Sequence, residues 1–400
     1  MKVLFITLAD INNIQTRGIY PDLLRKFRDK GHEVTIVCPN ERKSGKKTFI
    51  LNHNNVKILK VWTTNFQKTN YFEKFITTII IEYLFKNAIK KLLNYKNFDV
   101  IIYTTPPITF TNLIEYLKNN SKAKTYLLLK DIFPQNAVDL NIIKKKSLIH
   151  KYFRNKERKL YKISDFIGCM SPANVSYLLN NNIELSSDKV EINPNSIEVD
   201  ILSEKLNQNL DLFTEYNIPT DRIIFLFGGN LGIPQGIEFL KKNILNCQTI
   251  KECFFLIIGN GTEYDNLRNW IQTENINNIL LIKELPRLEF EEITKQVHVG
   301  LIFLNPDFTI PNFPSRLLSY MQNKLPVICA TDAITDIGKI AMENNFGYWC
   351  LTTDVDSFKN FVLKLLNSAL RVELGNNSYN YLKKEYDVAI SYQKIFKKLA

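Results

Sequence analysis

Apolar residues in this chain come in short uninterrupted runs, and the runs recur. KVLFITLA, HEVTIVCP, DVIIYTTPP, KTYLLLKD, DFIGCMSP and KVEINPN punctuate the first half, and RIIFLFGGNLG, CFFLIIGNG, ILLIKEL, VGLIFL, PVICAT and GYWCL the second. Most are rich in β-branched residues and lack polar alternation, as strands covered on both faces should, so a parallel sheet flanked by helices is expected. The intervening stretches read as those helices. YPDLLRKFRDKG ends at Gly31, further helices are expected at about 109–118 and 147–162, and a long helical segment should separate HEVTIVCP from DVIIYTTPP. PSRLLSYMQN places Leu317, Leu318 and Met321 on one side, with Pro314 in the first turn, where a missing N–H costs nothing.

Two such series in 400 residues predict an α/β protein of two Rossmann-like domains, 1–198 and 199–385. A polar, helical-looking connector opens the second. The closing 386–400 segment is helical in pattern with no strand left to cover, so it is expected to cross back to the first domain.

Composition narrows this reading without redirecting it. With 45% hydrophobic and 23% charged residues the chain is neither collagenous nor a coiled coil nor disordered. No apolar run reaches the roughly 18 uncharged residues of a spanning helix, and MKVLFITLAD reads as a first strand rather than a secretory signal. The six cysteines are scattered, most of them inside apolar runs, which suits buried free thiols in a reducing, cytoplasmic setting. The net charge of +12 invites a polyanionic partner. Nucleic acid is disfavoured, because the basic residues are dispersed and no recognition motif is present. An anionic membrane face or a phosphorylated substrate remains, as does a plain Lys-, Asn- and Ile-rich compositional bias. The 71–93 stretch, with Lys74, Lys86, Lys90 and Lys91 beside a broad apolar stripe, reads equally as a membrane-surface helix or as a core helix with one solvated edge.

Candidate chemistry gathers at the ends of the runs. FGGNLGIPQG (227–236) closes a strand with glycines that let backbone approach a phosphate or sugar, Gly229 and Gly232 among them, while Asn230 and Gln235 offer neutral hydrogen bonds. A tight turn needing positive φ is the alternative. The spacing is not the dinucleotide fingerprint, which argues against an oxidoreductase. LIIGNGTEYDNL brings Gly259, Asn260 and Gly261 to a second strand end, with Thr262 as the expected helix cap. Arg316, between Ser315 and Ser319, puts a fixed positive charge at a helix start. In the first half, RGIY ends the loop after the first strand, with Gly18 permitting close approach. LKDIFPQ places Asp131 at a strand end, as a contact to a sugar hydroxyl, an acid/base group, or simply a cap. The four histidines lie in structural settings, and no Ser-His-Asp, paired-carboxylate or metal-ligand pattern is present.

Taken in order, RDKGHEVTIVCP, DVIIYTTPP, KDIFPQ, DFIGCMSPANVSYL, VEINPNSIEV, FGGNLGIPQG, IGNGTE and IPNFPSRLLSYMQNKLPV resemble the family 4 glycosyltransferases of the GT-B fold across essentially the whole chain. The nearest likeness is to bacterial surface-polysaccharide transferases similar to N-acetyl-L-fucosamine transferases. The resemblance implies two Rossmann-like domains facing a central cleft. It implies transfer from a nucleotide diphosphate-sugar, UDP-linked, with retained anomeric configuration and with neither metal nor cofactor. The acceptor would be a polyprenyl-diphosphate-linked glycan of capsule, O-antigen or exopolysaccharide synthesis, met by a peripheral protein at the inner face of the plasma membrane. Gly229, Asn230, Gly232, Gln235, Gly259, Asn260, Gly261, Ser315, Arg316 and Ser319 would then bind the donor, with Arg316 on the pyrophosphate. Arg17 and Gly18 would bind the acceptor, and Asp131 would be catalytic. Two glutamates that the wider family carries eight positions apart are here Pro311 and Ser319, and the family's cation after the first glycine loop is Asn230 or Gln235. Two rivals share the fold class: a hydrolysing sugar-nucleotide 2-epimerase, which needs clustered carboxylates and histidines, and a non-catalytic glycosyltransferase-like partner subunit.

Overall fold

The apolar runs of the first half pair side by side. In the computed structural model, which describes residues 1–66, 71–199 and 211–399, the chain divides into two compact units. Unit one comprises Met1–Glu198 together with Asp387–Ala400, and unit two Val199–Tyr386. Residues 200–210, the greater part of the expected polar connector, lie outside the described residues, as does the side chain of Lys74.

Unit one holds β1 (Lys2–Ile6), β2 (Glu33–Glu41), β3 (Phe49–His53), β4 (Val56–Thr63), β5 (Val100–Thr104), β6 (Lys124–Leu129), β7 (Phe166–Cys169) and β8 (Val190–Ile192), in the sheet order β3-β4-β2-β1-β5-β6-β7-β8. Successive side chains point to opposite faces. Thus Leu4, Ile6, Ile101 and Tyr103 build one core, and Val3, Phe5, Ile36 and Ile102 the other. The Tyr71–Leu92 helix closes the first core through Ile81, Phe85 and Ile89, all essentially inaccessible. Each such burial contributes ~1.5–3 kcal/mol, so these three residues of the stripe are spent on the protein interior, as the core-helix alternative has it. Lys86 and Lys90 lie over the Tyr116 ring at 4.3 and 5.4 Å on the solvated edge. The Val388–Leu399 helix covers the second core with Tyr392 and Ile395, and Tyr392 shares a 2.9 Å hydrogen bond with His32 Nε2.

Unit two holds β9 (Ile223–Asn230), β10 (Cys253–Asn260), β11 (Ile279–Ile282), β12 (Val299–Phe303), β13 (Val327–Thr331) and β14 (Gly347–Leu351), all parallel, in the doubly wound order β11-β10-β9-β12-β13-β14. Phe225, Phe227, Phe255 and Leu301 fill its centre. All six cysteines are free and buried.

Several expectations are corrected. The stretch read as one long helical segment contains an antiparallel hairpin, β3–β4, turned by Asn54 and Asn55 at φ 50° and 59°. Asparagine tolerates this left-handed region, which two-residue hairpin turns require. The closing helical pattern is two helices, Ser368–Glu385 and Val388–Leu399. Tyr386 between them belongs to unit two, where its ring meets Phe313 and Tyr381. Finally, Pro314 precedes the Arg316–Gln322 helix, whose cap position is Ser315.

Candidate functional site

In doubly wound sheets, ligands sit beyond the carboxyl ends of the strands where the strand order reverses. In unit two that point lies between β9 and β12, and in unit one between β1 and β5.

At the first of these, β9 and β10 run in register to their ends, with Gly229 opposite Gly259 and Asn230 opposite Asn260. A Cβ on Gly259 would lie 1.8 Å from the Gly229 carbonyl oxygen, and one on Gly261 2.1 Å from that of Leu231. These two glycines therefore let the strand ends close on one another, leaving bare backbone at Gly229, Gly259 and Gly261. Gly229 itself has φ +122°, and a Cβ there would face the Arg316 guanidinium at 3.6 Å. The loop that follows is braced from within. Gln235 Oε1 accepts from Asn230 Nδ2 (3.0 Å) and from the Gly232 N–H (3.2 Å), so the Asn230 and Gln235 side chains are engaged with each other. The Gly261 N–H donates to Asn260 Oδ1 at 2.9 Å. Thr262 is not the helix cap: the Tyr264–Thr273 helix starts from Glu263 without a side-chain capping bond.

Arg316 is the charge at this edge. Its guanidinium stacks 4.4 Å over the Phe227 ring, and its Nη1 is sealed from solvent without a hydrogen-bond partner among the described residues. Burial lowers its pKa from the ordinary value, yet a guanidinium stays charged at any physiological pH. An enclosed cationic donor without an acceptor is costly, and an anion supplies what it lacks. Ser315 is exposed at the cap position. Ser319 is half-buried one turn on, its carbonyl oxygen occupied by Asn323 Nδ2.

Tyr320, which the sequence reading passed over, fixes that helix. Its hydroxyl accepts from the Gly228 N–H at 3.0 Å and donates to the Leu226 carbonyl at 3.1 Å, while Gly300 leaves room for its ring. The helix is thus tied to β9 four residues beyond Arg316. The signal available was spacing: a tyrosine at i+4 from the arginine, on the apolar side.

The corresponding edge of unit one is polar. Thr7 and Thr104 share a 3.0 Å hydroxyl bond across the switch point. Gly18, at φ +151°, donates its N–H to Asp22 Oδ1 (2.9 Å), and Arg17 donates to the Glu198 carbonyl (3.0 Å). Burial lifts the Tyr20 hydroxyl to about 12. Beyond β6, the N–H groups of Lys130 and Asp131 both reach Thr105 Oγ1, at 2.9 and 3.2 Å. Part of the Asp131 residue surface meets solvent, but its carboxyl group is enclosed. Burial pushes it up to about 6 despite the 2.9 Å bond that Asn136 Nδ2 donates to it. Lys130, a second residue not singled out from sequence, is pushed down to about 7 by burial, and its Nζ donates to the Asn193 carbonyl at 3.2 Å. Its only sequence signal was a lysine directly after an apolar run. Among the described residues no group of three or more His, Cys, Asp or Glu could hold a metal ion.

Residues 209–381 match the family model for glycosyl transferases group 1. The chain is 22% identical over 332 residues to a probable glycosyltransferase WbjE of Pseudomonas aeruginosa, covering 82% of this chain and 80% of that protein. Solved structures extend the likeness of fold to the full length. A sucrose-phosphate synthase from Thermosynechococcus elongatus superposes with a TM-score of 0.73 at 15% identity, over 99% of this chain and 97% of that one. HepE from Anabaena, in complex with UDP and glucose, gives 0.68 at 12% identity, over 100% and 99%. The E. coli trehalose-6-phosphate protein bound with UDP-2-fluoro glucose gives 0.74 at 11%, over 99% and 98%. The fold is GT-B, and the class so defined is a glycosyltransferase of the group 1, GT-B type.

Proposed function

We propose that the protein transfers a sugar from a nucleotide diphosphate-sugar, UDP-linked, to a lipid-linked glycan acceptor in surface-polysaccharide synthesis, with retention and without a metal. One observation carries the donor half: the enclosed, unpartnered Nη1 of Arg316 beside the bare backbone at Gly229 and Gly259. A pyrophosphate supplies the missing acceptor, and glycine backbone lets it approach. The UDP in the HepE structure and the UDP-2-fluoro glucose in the E. coli structure support the same ligand class.

In the reaction, the acceptor hydroxyl oxygen forms a bond to the anomeric carbon, and the bond from that carbon to the diphosphate breaks with its electron pair. Arg316 stabilises the negative charge that appears on the leaving nucleoside diphosphate, where a preorganised cation lowers the barrier most. Asp131 receives the hydroxyl proton; a carboxyl poised near 6 is deprotonated at neutral pH yet basic enough to take it. The net positive charge supports a working position at an anionic membrane face, where a lipid-linked acceptor is met.

Incubation with a panel of nucleotide sugars and a polyprenyl-diphosphate-linked acceptor, read by mass spectrometry, tests this. A product one sugar heavier is the expected result. Release of free nucleotide with a C2-epimerised sugar would replace the reading with the epimerase, and no turnover of any donor would leave the partner-subunit reading.

A further inference from the structure

Large exposed apolar side chains are scattered singly over most of this protein, as is normal. One segment differs. Leu148 is 84% exposed, Ile149 49% and Tyr152 45%, all on the first turns of the Leu148–Ile163 helix, and Ile142 in the preceding loop is 59% exposed. The helix buries its opposite side in unit one through Phe153, Leu160 and Tyr161. The exposed residues are held out by an ordered scaffold. The N–H groups of Ile142 and Ile143 both donate to the Ala137 carbonyl, at 2.8 and 3.0 Å, Ile143 packs inward, and Ser147 Oγ caps the helix by accepting from the His150 N–H.

Charge surrounds this apolar knuckle with one sign. From Leu140 to Lys156 there are six Lys or Arg and no Asp or Glu, and Lys144, Lys145, Lys146 and Lys151 are exposed. The only carboxylate close by in sequence on the helix, Glu157, is buried and paired with Arg154. Lys145, His150 and Arg154 also line a shallow recess of about 90 Å³ alongside, with Glu157 at its wall. Apolar residues ringed by cations are unfavourable toward water and repel a like-charged protein surface. Both components are satisfied together where acyl chains lie beneath anionic headgroups.

We propose that the 142–152 segment is the surface by which unit one docks on an anionic phospholipid bilayer, with Leu148, Ile149 and Tyr152 inserted at the headgroup boundary and the four exposed lysines over the phosphates. This rests on the membrane-facing reading above but moves the contact away from the Tyr71–Leu92 helix, whose Ile81, Phe85 and Ile89 are occupied by the core.

The test is co-sedimentation of the full chain with vesicles of phosphatidylcholine, with and without phosphatidylglycerol, at low and physiological salt. The wild type should sediment only with the anionic vesicles, and less as salt rises. Lys144→Gln/Lys145→Gln/Lys146→Gln should lower partitioning about 100-fold, three lost charges at about fivefold each. Leu148→Gln/Ile149→Gln should lower it further at high salt, where the apolar component dominates. Lys86→Glu/Lys90→Glu/Lys91→Glu should lower it less than the 144–146 variant, those residues lying on the neighbouring helix, which Glu82 ties to Lys156. Equal sedimentation with neutral vesicles, none with anionic ones, or loss only in the Lys86/Lys90/Lys91 variant would each overturn the proposal. Transfer to a short-chain, water-soluble acceptor, assayed in parallel, keeps the two readings apart. Variants that lose vesicles but keep transfer support the docking surface, while wild type that binds vesicles without transferring sugar refutes the proposed activity and not the surface.

Discussion

The two sheets share the same reversal of strand order but present opposite chemistry at their carboxyl edges. In unit two the β9–β10 end is glycine backbone: Gly259 and Gly261 close the strands on each other, the Asn230–Gln235 pair braces the loop, and Arg316 is the enclosed cation beside it. In unit one the edge is crowded with hydroxyls and titratable groups, and burial brings both Asp131 and Lys130 close to neutrality. A fixed cation on bare backbone suits a group of constant charge, such as a pyrophosphate. Groups poised between charge states suit a proton in transit. On the function proposed above, one topology serves binding at one edge and acid/base work at the other, and the difference lies in which side chains end the strands.

The comparison breaks most directly at Asp131. Asp131→Asn should cut turnover by about 10²- to 10⁴-fold, the usual worth of a general base, while nucleoside diphosphate affinity measured by calorimetry stays unchanged. In the wild type, turnover should rise through about pH 6, where Asp131 loses its proton, to a plateau, and the variant should lack that limb. Unaltered turnover would reduce Asp131 to a structural contact with Asn136. Arg316→Ala should do the converse, weakening nucleoside diphosphate binding by about 1.5–3 kcal/mol, the scale of a charge-assisted hydrogen bond. An unchanged affinity in a folded variant removes Arg316 from the site.

Smaller effects sharpen the same contrast. Gly259→Ala forces β9 and β10 apart and should cost ~1–3 kcal/mol of stability by overpacking, read as earlier melting of unit two. Lys130→Met should act on unit one, with a sign set by pH. The folded-state pKa of Lys130, about 7, lies below its ordinary 10.5, so holding the buried charge costs most below pH 7 and the cost fades as pH rises toward 10.5. The variant should therefore raise the melting temperature at about pH 6 and lose that advantage near about pH 10. A gain independent of pH would mean that folding leaves the Lys130 pKa at its ordinary value. The smallest effect is that of a chelator, which should leave turnover unchanged; loss of activity restored by magnesium or manganese would overturn metal independence.

How much of this could be read from sequence follows from how local each feature is. The parallel strands were legible because a strand buried on both faces writes its environment into consecutive residues, as in β9, β10, β12 and β13. The β3–β4 hairpin was missed because Phe49–His53 alternates between half-buried and exposed positions at a sheet edge and carries no such run. Arg316 stood out because a charge between two buried strands is conspicuous in one dimension. Tyr320 and Lys130 did not, because what matters about them is enclosure by residues far away in the chain, Gly228 for one and Asn193 for the other. The exposed apolar turn at Leu148 was hidden for the complementary reason: its leucine and isoleucine look like core residues until the packing shows that nothing covers them.

Unit one is a discontinuous unit, and its two segments meet at one place. Ile197 pairs with Asp387 in a parallel bridge, and the Val388 N–H donates to the Ile197 carbonyl at 2.9 Å, on either side of the 188 residues of unit two. During synthesis this imposes an order that the linear sequence reverses. The unit that emerges first is completed last, because the face of its sheet that Leu23, Leu24 and Phe27 cover in part is closed only when Tyr392 and Ile395 arrive behind the whole of unit two. Nascent unit one must wait on the ribosome with part of that face open, while unit two, contiguous in sequence, can close as soon as it has been made.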